Sequence, residues 1–288
     1  MGNHNVKIRH STSTHTRRVI AYIVLGLLSV LCLFWFYILL IYSTRSNGEI
    51  ASGISFLPST HFLDNFKNLL TKSTQPIFKG LRNSLIVAAS SALLCTYFST
   101  LTAYAIHVYD FKMKNFIFTF ILMIMMVPTQ VTVLGFIKLM GKMNLINTFV
   151  PLIVPTIASP VTFYYMKQYM DSTLPMALIE AARIDGSGEI RTFNTIALPL
   201  MKPAIAVQAI FSFVSSWNNY FVPTFILKKA NLKTVPILIA QLRASDYSKF
   251  DMGQVYMMIA LSIFPVVIVY LILSKHIVSG VALGSVKG

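Results

Sequence analysis

The chain has 288 residues, of which 55% are hydrophobic and only 11% are charged. Soluble domains carry about 25% charged residues, so this composition excludes an ordinary soluble protein, and the mean hydropathy of +0.68 also excludes an intrinsically disordered one. The net charge of +15 is spread over many short polar segments, which indicates basic loops beside an anionic bilayer surface and excludes a basic stripe for nucleic acid.

Six apolar windows are long enough to cross a bilayer, whose hydrocarbon core of about 30 Å needs about 20 helical residues. Every Asp, Glu, Lys and Arg lies outside these windows, as a membrane location requires, because a charge at mid-bilayer costs several kcal/mol. We therefore predict an all-α polytopic membrane protein with spans near residues 19–43, 84–105, 116–137, 148–166, 204–227 and 255–274.

The predicted organisation is a short segment, residues 1–18, followed by one six-span domain, residues 19–288. Four basic residues closely precede the first span and only Arg45 closely follows it, so the positive-inside rule places the N-terminus in the cytoplasm. Six spans return the C-terminus to that side. We expect a multi-pass protein of a bacterial-type cytoplasmic membrane with both termini cytoplasmic.

Prolines occur inside four of the predicted spans, and each removes a backbone donor and tends to kink a helix. Such kinks suit a bundle of helices around a central transport path, although prolines are common in membrane helices in general. The prolines concerned are Pro128, Pro151, Pro155, Pro160, Pro223 and Pro265.

The predicted cytoplasmic loop, residues 171–203, has the pattern of a helix-turn-helix hairpin. Asp171 or Ser172 is expected to cap a first helix that holds Pro175 in its first turn. Leu174, Leu178 and Ala181 recur at helical spacing and predict one apolar stripe. Gly186 and Gly188 are expected to end this helix, and a second short helix is predicted over residues 189–196.

Within this loop, Glu180-Ala181-Ala182, Asp185-Gly186, Ile196 and Leu198-Pro199-Leu200 resemble the EAA loop of permease subunits in binding-protein-dependent ABC importers. Four further segments resemble the carbohydrate branch of that family, the MalG-like permeases of maltose-type systems. They are Phe62-Leu63-Asp64-Asn65-Phe66, Asn83-Ser84-Leu85, Trp217-Asn218 and the tail Gly284-Ser285-Val286-Lys287-Gly288.

This resemblance implies a type I ABC importer permease, with a MetI-like fold, for a sugar or oligosaccharide. The EAA helix would be a coupling helix that docks on a separate ATPase. Glu180 would pair with a basic residue there, Ala181, Ala182 and Gly186 would permit close approach, Asp185 would fix the turn, and Leu198-Pro199 would complete the motif. The tail at Lys287 and Gly288 would reach the ATPase dimer, and residues 228–254 would contact a sugar-binding protein.

The implied partners are a second homologous permease, two ATPase subunits, an extracytoplasmic sugar-binding protein and the lipid bilayer. The chain has no G-x-x-x-x-G-K-[ST] segment that would cradle phosphates and no acidic cluster that would hold a metal. We therefore expect no enzymatic activity, no metal site and no cofactor in this chain, with ATP and magnesium bound by the partner ATPase.

A polar and aromatic run in the fifth predicted span has the residue types that bind sugars, namely hydroxyls, amides and aromatic faces. The run is Ser215, Ser216, Trp217, Asn218, Asn219 and Tyr220, and the residues from Ser216 to Tyr220 are the candidates for a substrate path. Interhelical hydrogen bonding in the bundle explains the same residues equally simply.

Two other functions remain open at this point. A permease for another small solute would share the coupling loop. An ion-coupled secondary transporter would normally need an intramembrane acid or base, and the six windows contain no Asp, Glu, Lys or Arg. A membrane hydrolase is disfavoured because neither G-x-S-x-G nor H-E-x-x-H occurs.

Overall fold

The computed structural model describes residues 11–71, 76–244 and 251–284, without the side chains of residues 11–14, Thr129 and 277–284. These ranges are helical and contain no strand, which confirms the all-α prediction. The helices are α1 (Ser11–Ser43), α2 (Asn47–Ala51), α3 (Phe62–Thr71), α4 (Ile77–Val108), α5 (Lys114–Ile124), α6 (Thr129–Lys142), α7 (Val150–Ile153), α8 (Pro160–Thr173), α9 (Met176–Ile184), α10 (Glu189–Thr192), α11 (Leu198–Leu200), α12 (Lys202–Trp217), α13 (Phe221–Ile226), α14 (Val235–Arg243) and α15 (Met252–Gly284).

Within the described ranges, three helices are long and apolar enough to cross a membrane. They are His15–Ser43, Ile77–Val108 and Met252–His276, and they coincide with the first, second and sixth predicted windows. A fourth candidate arises if Glu189–Leu200 and Lys202–Trp217, which meet at 82°, form one broken span. The count of six spans therefore stays a prediction.

The other three windows are not continuous helices, which corrects the predicted spans. In the third window α5 stops at Ile124 and α6 begins at Thr129, directly after Pro128, because a proline disfavours the helical conformation of the residue before it. In the fourth, α7 and a 3-10 turn at Val154–Ile157 precede α8, which starts at Pro160. In the fifth, residues 218–220 separate α12 from α13.

Whether a proline interrupts a helix depends on its position within that helix. Pro160 occupies the first turn of α8, where its missing N–H costs nothing, and the Ser159 hydroxyl accepts a hydrogen bond from the Thr162 amide at 3.3 Å. Pro265, by contrast, lies inside α15, which continues past it as one helix.

The described chain forms two compact units, one of residues 11–71 with 251–260 and one of residues 76–244 with 261–284. In the first unit Asn65, from the segment that resembles the MalG-like outer loop, closes the end of α1. Its buried amide donates to the carbonyl oxygens of Ser43 at 2.9 Å and Arg45 at 2.8 Å. Terminal carbonyls of a helix have no helical partner, so Asn65 supplies the donor that they lack.

In the second unit α4 is the central helix and packs along α8 and α12. Asn83 and Ser84, at the predicted entry to the second span, attach α4 to the loop before α14. The Asn83 amide donates to the carbonyl oxygens of Asn231 at 2.9 Å and Lys233 at 3.1 Å, and the Ser84 hydroxyl accepts from the Val235 amide at 2.8 Å. This polar end fixes the position of α4 against its neighbours.

The close packing of Gly253 against Asn65 gives a stability prediction. A Cβ atom at Gly253 would lie 2.6 Å from the Asn65 Oδ1 atom and 2.9 Å from the Arg45 carbonyl oxygen, so Gly253→Ala should destabilise the first unit by about 1–3 kcal/mol, the usual cost of overpacking. Gly26→Ala is the matched control, because Gly26 is also helical and has open space around it. Thermal unfolding of the purified protein in lipid should show a lower Tm for Gly253→Ala alone, and equal Tm values would contradict the packing described.

Candidate functional site

The predicted hairpin is present, but it begins later than expected. Asp171 and Ser172 belong to the end of α8, and Pro175 is the N-cap residue of α9, so neither of the two predicted caps is correct. Because α9 starts at Met176, its buried face consists of Ile179 and Ala182. The predicted apolar stripe is therefore wrong: Leu174 is buried, but Leu178 and Ala181 are exposed.

Gly186 makes the turn between the two arms of the hairpin. Its φ of +75° lies in the left-handed region, which glycine adopts without steric cost. The Gly186 amide donates to the Arg183 carbonyl at 3.0 Å and the Ser187 amide to the Ala182 carbonyl at 2.9 Å, the two bonds of a Schellman helix end. The sequence prediction that Gly186 ends α9 is confirmed, and backbone conformation is the reason.

The second arm is shorter and less regular than predicted. The α-helix covers only Glu189–Thr192, and Phe193–Ala197 is a π-helical turn that leads into α11. Phe193 and Ile179 are buried in the same cluster as Tyr104 and Met201. This cluster holds both arms against the end of α4.

An ion pair that the sequence analysis missed joins the two arms. The Arg183 Nε atom donates to the Glu189 Oε1 atom at 2.8 Å, the Tyr104 hydroxyl donates to the Glu189 Oε2 atom at 3.4 Å, and the Arg183 guanidinium lies 5.7 Å from the Tyr109 ring centroid. The hydrogen bond to Glu189 raises the pKa of Arg183 above its ordinary value. A separation of six residues across a turn matches no helical period, so no pattern in the sequence indicated this pair.

A second polar cluster lies where α8 joins the hairpin. The Asp171 Oδ1 atom lies 2.8 Å from the His107 Nδ1 atom and 2.5 Å from the Lys167 Nζ atom, and the His107 Nε2 atom lies 2.9 Å from the Leu174 carbonyl oxygen. Burial raises the pKa of the Asp171 carboxyl, but hydrogen bonds from Lys167 and His107 outweigh it and hold that pKa below its ordinary value. His107 therefore attaches the end of α4 to the start of the hairpin.

Most of the predicted coupling residues face outward on the hairpin. Glu180, Ala181 and Asp185 are exposed, Ala182 is buried, and Glu180 forms no ion pair within the described residues. Ile184 and Ile190 also stand out from this surface, with 86% and 75% of their area exposed. Leu198 is half-buried and Pro199 exposed, whereas Lys287 and Gly288 lie outside the described residues.

A pocket of about 490 Å³ lies beside α12 in the second unit. No ionisable carboxylate, amine or guanidinium lines it, and most of its lining residues carry a hydroxyl or amide. They are Cys95, Leu152, Thr156, Ser159, Val161, Thr162, Gln208, Phe211, Ser212, Ser215, Ser216 and Asn219. A volume of about 300–1,000 Å³ suits a small organic ligand.

The polar face of this pocket comes mainly from α12. Gln208, Ser212 and Ser215 recur at intervals of three or four residues and so share one face of α12, and Asn219 follows just after the end of this helix. In the described part of the chain, the side chains of Gln208, Ser212 and Asn219 form no hydrogen bond. The pocket wall at the start of α8 is more ordered, because the Ser159 hydroxyl donates to the Thr162 hydroxyl at 3.0 Å.

Of the predicted substrate-path residues, Ser216 and Asn219 line this pocket. Trp217 is buried and stacks on Phe213 with ring centroids 5.6 Å apart, whereas Asn218 and Tyr220 are exposed and do not line it. Ser212 and Gln208 were missed because they lie about one and two helical turns before the polar run. The described residues contain no group of three His, Cys, Asp or Glu side chains able to hold a metal ion.

Comparison with known proteins decides the family. Residues 96–282 match the family described as "Binding-protein-dependent transport system inner membrane component". The chain belongs to this family. It is a multi-pass membrane protein of a transport system that also includes a binding protein, and the sequence-based assignment is confirmed.

Two relatives and one solved structure are similar over most of the chain. The arabinooligosaccharides transport system permease protein AraQ of Bacillus subtilis is 34% identical over 98% of this chain and 100% of its own length. The melibiose/raffinose/stachyose import permease protein MelC of the same species is 29% identical, over 88% and 91% respectively. A chain of a bacterial ABC transporter involved in alginate import has the same fold, with a TM-score of 0.76 at 19% identity, and the match covers 93% of this chain and 99% of that chain.

The turn geometry gives a prediction for the hairpin. Gly186→Ala should destabilise the turn by about 1–2 kcal/mol, the cost of a left-handed conformation for an L-residue. Amide hydrogen exchange of residues 182–187 should then be about tenfold faster, since about 1.4 kcal/mol corresponds to a tenfold change.

Gly188→Ala is the control for this experiment, because Gly188 has a φ of −69° and open space around it. It should leave the exchange rates unchanged. Equal rates for both variants would show that the turn does not depend on the conformation of Gly186.

Proposed function

We propose that this chain is the permease subunit of an ATP-driven importer for a sugar or oligosaccharide, and that it couples ATP hydrolysis by separate subunits to alternating access. Its working partners are a second homologous permease, two ATPase subunits and an extracytoplasmic sugar-binding protein. ATP and magnesium bind to the ATPase, so this chain catalyses no reaction. The hairpin and both chain termini face the cytoplasm in this proposal.

The connection between the hairpin and the pocket carries the proposal. The second arm, Glu189–Leu200, leads through the buried Met201 into α12, which lines the pocket. The two helical segments meet at 82°. A force applied to the hairpin therefore reaches the pocket wall directly along the backbone, which is what a two-state coupling element requires.

The outward surface of the hairpin has the composition of a docking site. Glu180 offers an unpaired carboxylate, Ala181 offers little steric bulk, and Ile184 offers exposed apolar area. A groove with one basic residue and an apolar floor on the ATPase would satisfy all three. The ion pair between Arg183 and Glu189 keeps this surface rigid, so that docking moves the hairpin as a unit. Lys287 and Gly288 would add contacts to the ATPase dimer.

The chemistry of the pocket supports a neutral, hydroxyl-rich substrate. Sugars present donors and acceptors around their ring, and hydroxyls and amides can serve both roles. The side chains of Gln208, Ser212 and Asn219 are available for such bonds, and the absence of lining ionisable groups disfavours a charged solute. The substrates named for AraQ and MelC, arabinooligosaccharides in one case and melibiose, raffinose and stachyose in the other, belong to the same chemical class.

The coupling surface is tested by Glu180→Lys in the complete complex, reconstituted with its binding protein. Loss of a charge pair at an interface costs about 2–5 kcal/mol, so ATP-dependent uptake should fall at least about tenfold, while membrane insertion and assembly with the second permease persist. Asp110→Lys, also an exposed acidic residue but outside the hairpin, should leave uptake near normal. Normal uptake by Glu180→Lys, or wild-type uptake driven by an ion gradient without the ATPase, would overturn the proposal.

The substrate path is tested by Gln208→Leu. Removing one hydrogen bond to a neutral ligand costs about 0.5–1.5 kcal/mol, so the KM for sugar uptake should rise by about two- to tenfold. Asn218→Leu changes an exposed amide outside the pocket and should have a smaller effect. An effect at Asn218 as large as that at Gln208 would place the path along the exposed turn and not in the pocket.

A further inference from the structure

The segment after α2, residues 52–60, runs back along α1 instead of away from it. The Tyr37 hydroxyl donates to the Phe56 carbonyl oxygen at 2.5 Å, and the Phe34 and Phe56 ring centroids lie 6.1 Å apart. Tyr37 and Phe34 precede the last residue of α1, Ser43, by six and nine positions, which is about 9 and 14 Å along a helix axis. The segment therefore reaches well past the end of α1.

These contacts lie at the depth of membrane hydrocarbon. Residues 19–44, between Arg18 and Arg45, carry no charge. The helical part of this stretch ends at Ser43 and is about 38 Å long, whereas hydrocarbon is about 30 Å thick. The placement least favourable to insertion puts one hydrocarbon boundary directly after Arg18. The opposite boundary then falls about 20 residues later, near Ile38, and Phe34 still lies within the hydrocarbon. The ring of Phe56 is thus next to a residue that lies in hydrocarbon.

The side chains of the segment suit an apolar surrounding. Residues 50–63 contain no Asp, Glu, Lys or Arg. Ile54 and Leu57 expose 77% and 73% of their area and Phe56 exposes 53%. Burying the exposed area in lipid would gain about 25 cal/mol for each Å² removed from water, and none of the described residues of the first unit covers that area.

Some backbone groups of the segment also have hydrogen-bond partners within the protein. An irregular backbone in hydrocarbon needs partners for its polar groups within the protein. The Leu57 carbonyl accepts from the Arg45 Nη1 atom at 3.1 Å, and the Ser59 amide donates to the Thr44 hydroxyl at 2.9 Å. Together with the Tyr37 hydroxyl on Phe56, side chains from the residues after α1 thus satisfy three backbone groups of the segment.

We propose that residues 53–58 form a re-entrant lipid anchor, which inserts into the membrane leaflet where α1 ends. Gly53, with a φ of +127°, lets the chain turn back towards α1 after α2. Lipid is the partner that the position favours, because the anchor continues the apolar surface of α1, whose most apolar stretch is not buried in the chain. When the hydrocarbon boundary falls near Ile38, the exposed Trp35 and Tyr37 lie within one helical turn of it, as in the aromatic belt of a membrane interface.

Spin labels at single cysteines test the anchor in the complete complex in lipid nanodiscs, with partner subunits that carry no reactive cysteine. Ile54→Cys, Leu57→Cys and Gly48→Cys are made together with Cys32→Ala, which leaves only the buried Cys95. Gly48 is exposed, has open space and lies beside the charged Glu49, so it is the water control. The native exposed Cys32 in α1 is the lipid control.

Collision rates with oxygen, which concentrates in lipid, and with a water-soluble nickel chelate give the readout. The oxygen-to-nickel ratio at residues 54 and 57 should shift from the value at residue 48 to the range found at Cys32. A ratio equal to that of residue 48 would place the segment in water. Labels shielded from both reagents would place it against a partner protein, and either result would overturn the anchor.

Discussion

The bilayer supplies no water to backbone groups, so every interruption of a membrane helix must find its hydrogen bonds within the protein. This constraint explains the polar residues that punctuate the apolar sequence. Asn65 satisfies the carbonyls that end α1, Asn83 and Ser84 hold the loop before α14, and Ser159 caps α8. Once these positions are satisfied, helices can break and change direction inside an apolar chain, and the breaks create the pocket walls and the hairpin.

Much of the fold follows from the sequence because strong local signals decide it. Long charge-free runs predict α1, α4 and α15, and Gly186 marks the end of α9 because only a residue tolerant of a positive φ fits there. The family could also be predicted, since the EAA loop is a specific pattern. The tryptophan-asparagine pair shows the limit of such patterns. Trp217 packs against Phe213 in the core, so this part of the motif stabilises the bundle and does not line the pocket.

What the sequence did not predict depends on tertiary contacts. Hydropathy averages over a window and cannot separate one span from two short helices, so the breaks at Pro128 and Pro160 were taken as kinks in continuous spans. The bond between Arg183 and Glu189 joins two arms whose relative position is set by the buried cluster beneath them. The pocket likewise depends on how α12 packs beside α4 and α8, and Gln208 gains its role only through that orientation.

The rigidity of the hairpin and the unpaired polar lining of the pocket both suit the proposed coupling mechanism. The helix-ending bonds around Gly186, the ion pair between Arg183 and Glu189 and the contact of His107 with Asp171 each restrict the proposed docking surface, so that little of an applied displacement would be lost in bending. Within the described residues, the side chains of α12 that line the pocket form no hydrogen bonds that would fix them. In the proposed mechanism, a displacement of the hairpin would be transmitted through Met201 to the wall where hydrogen bonds to a passing solute would form and break at low cost.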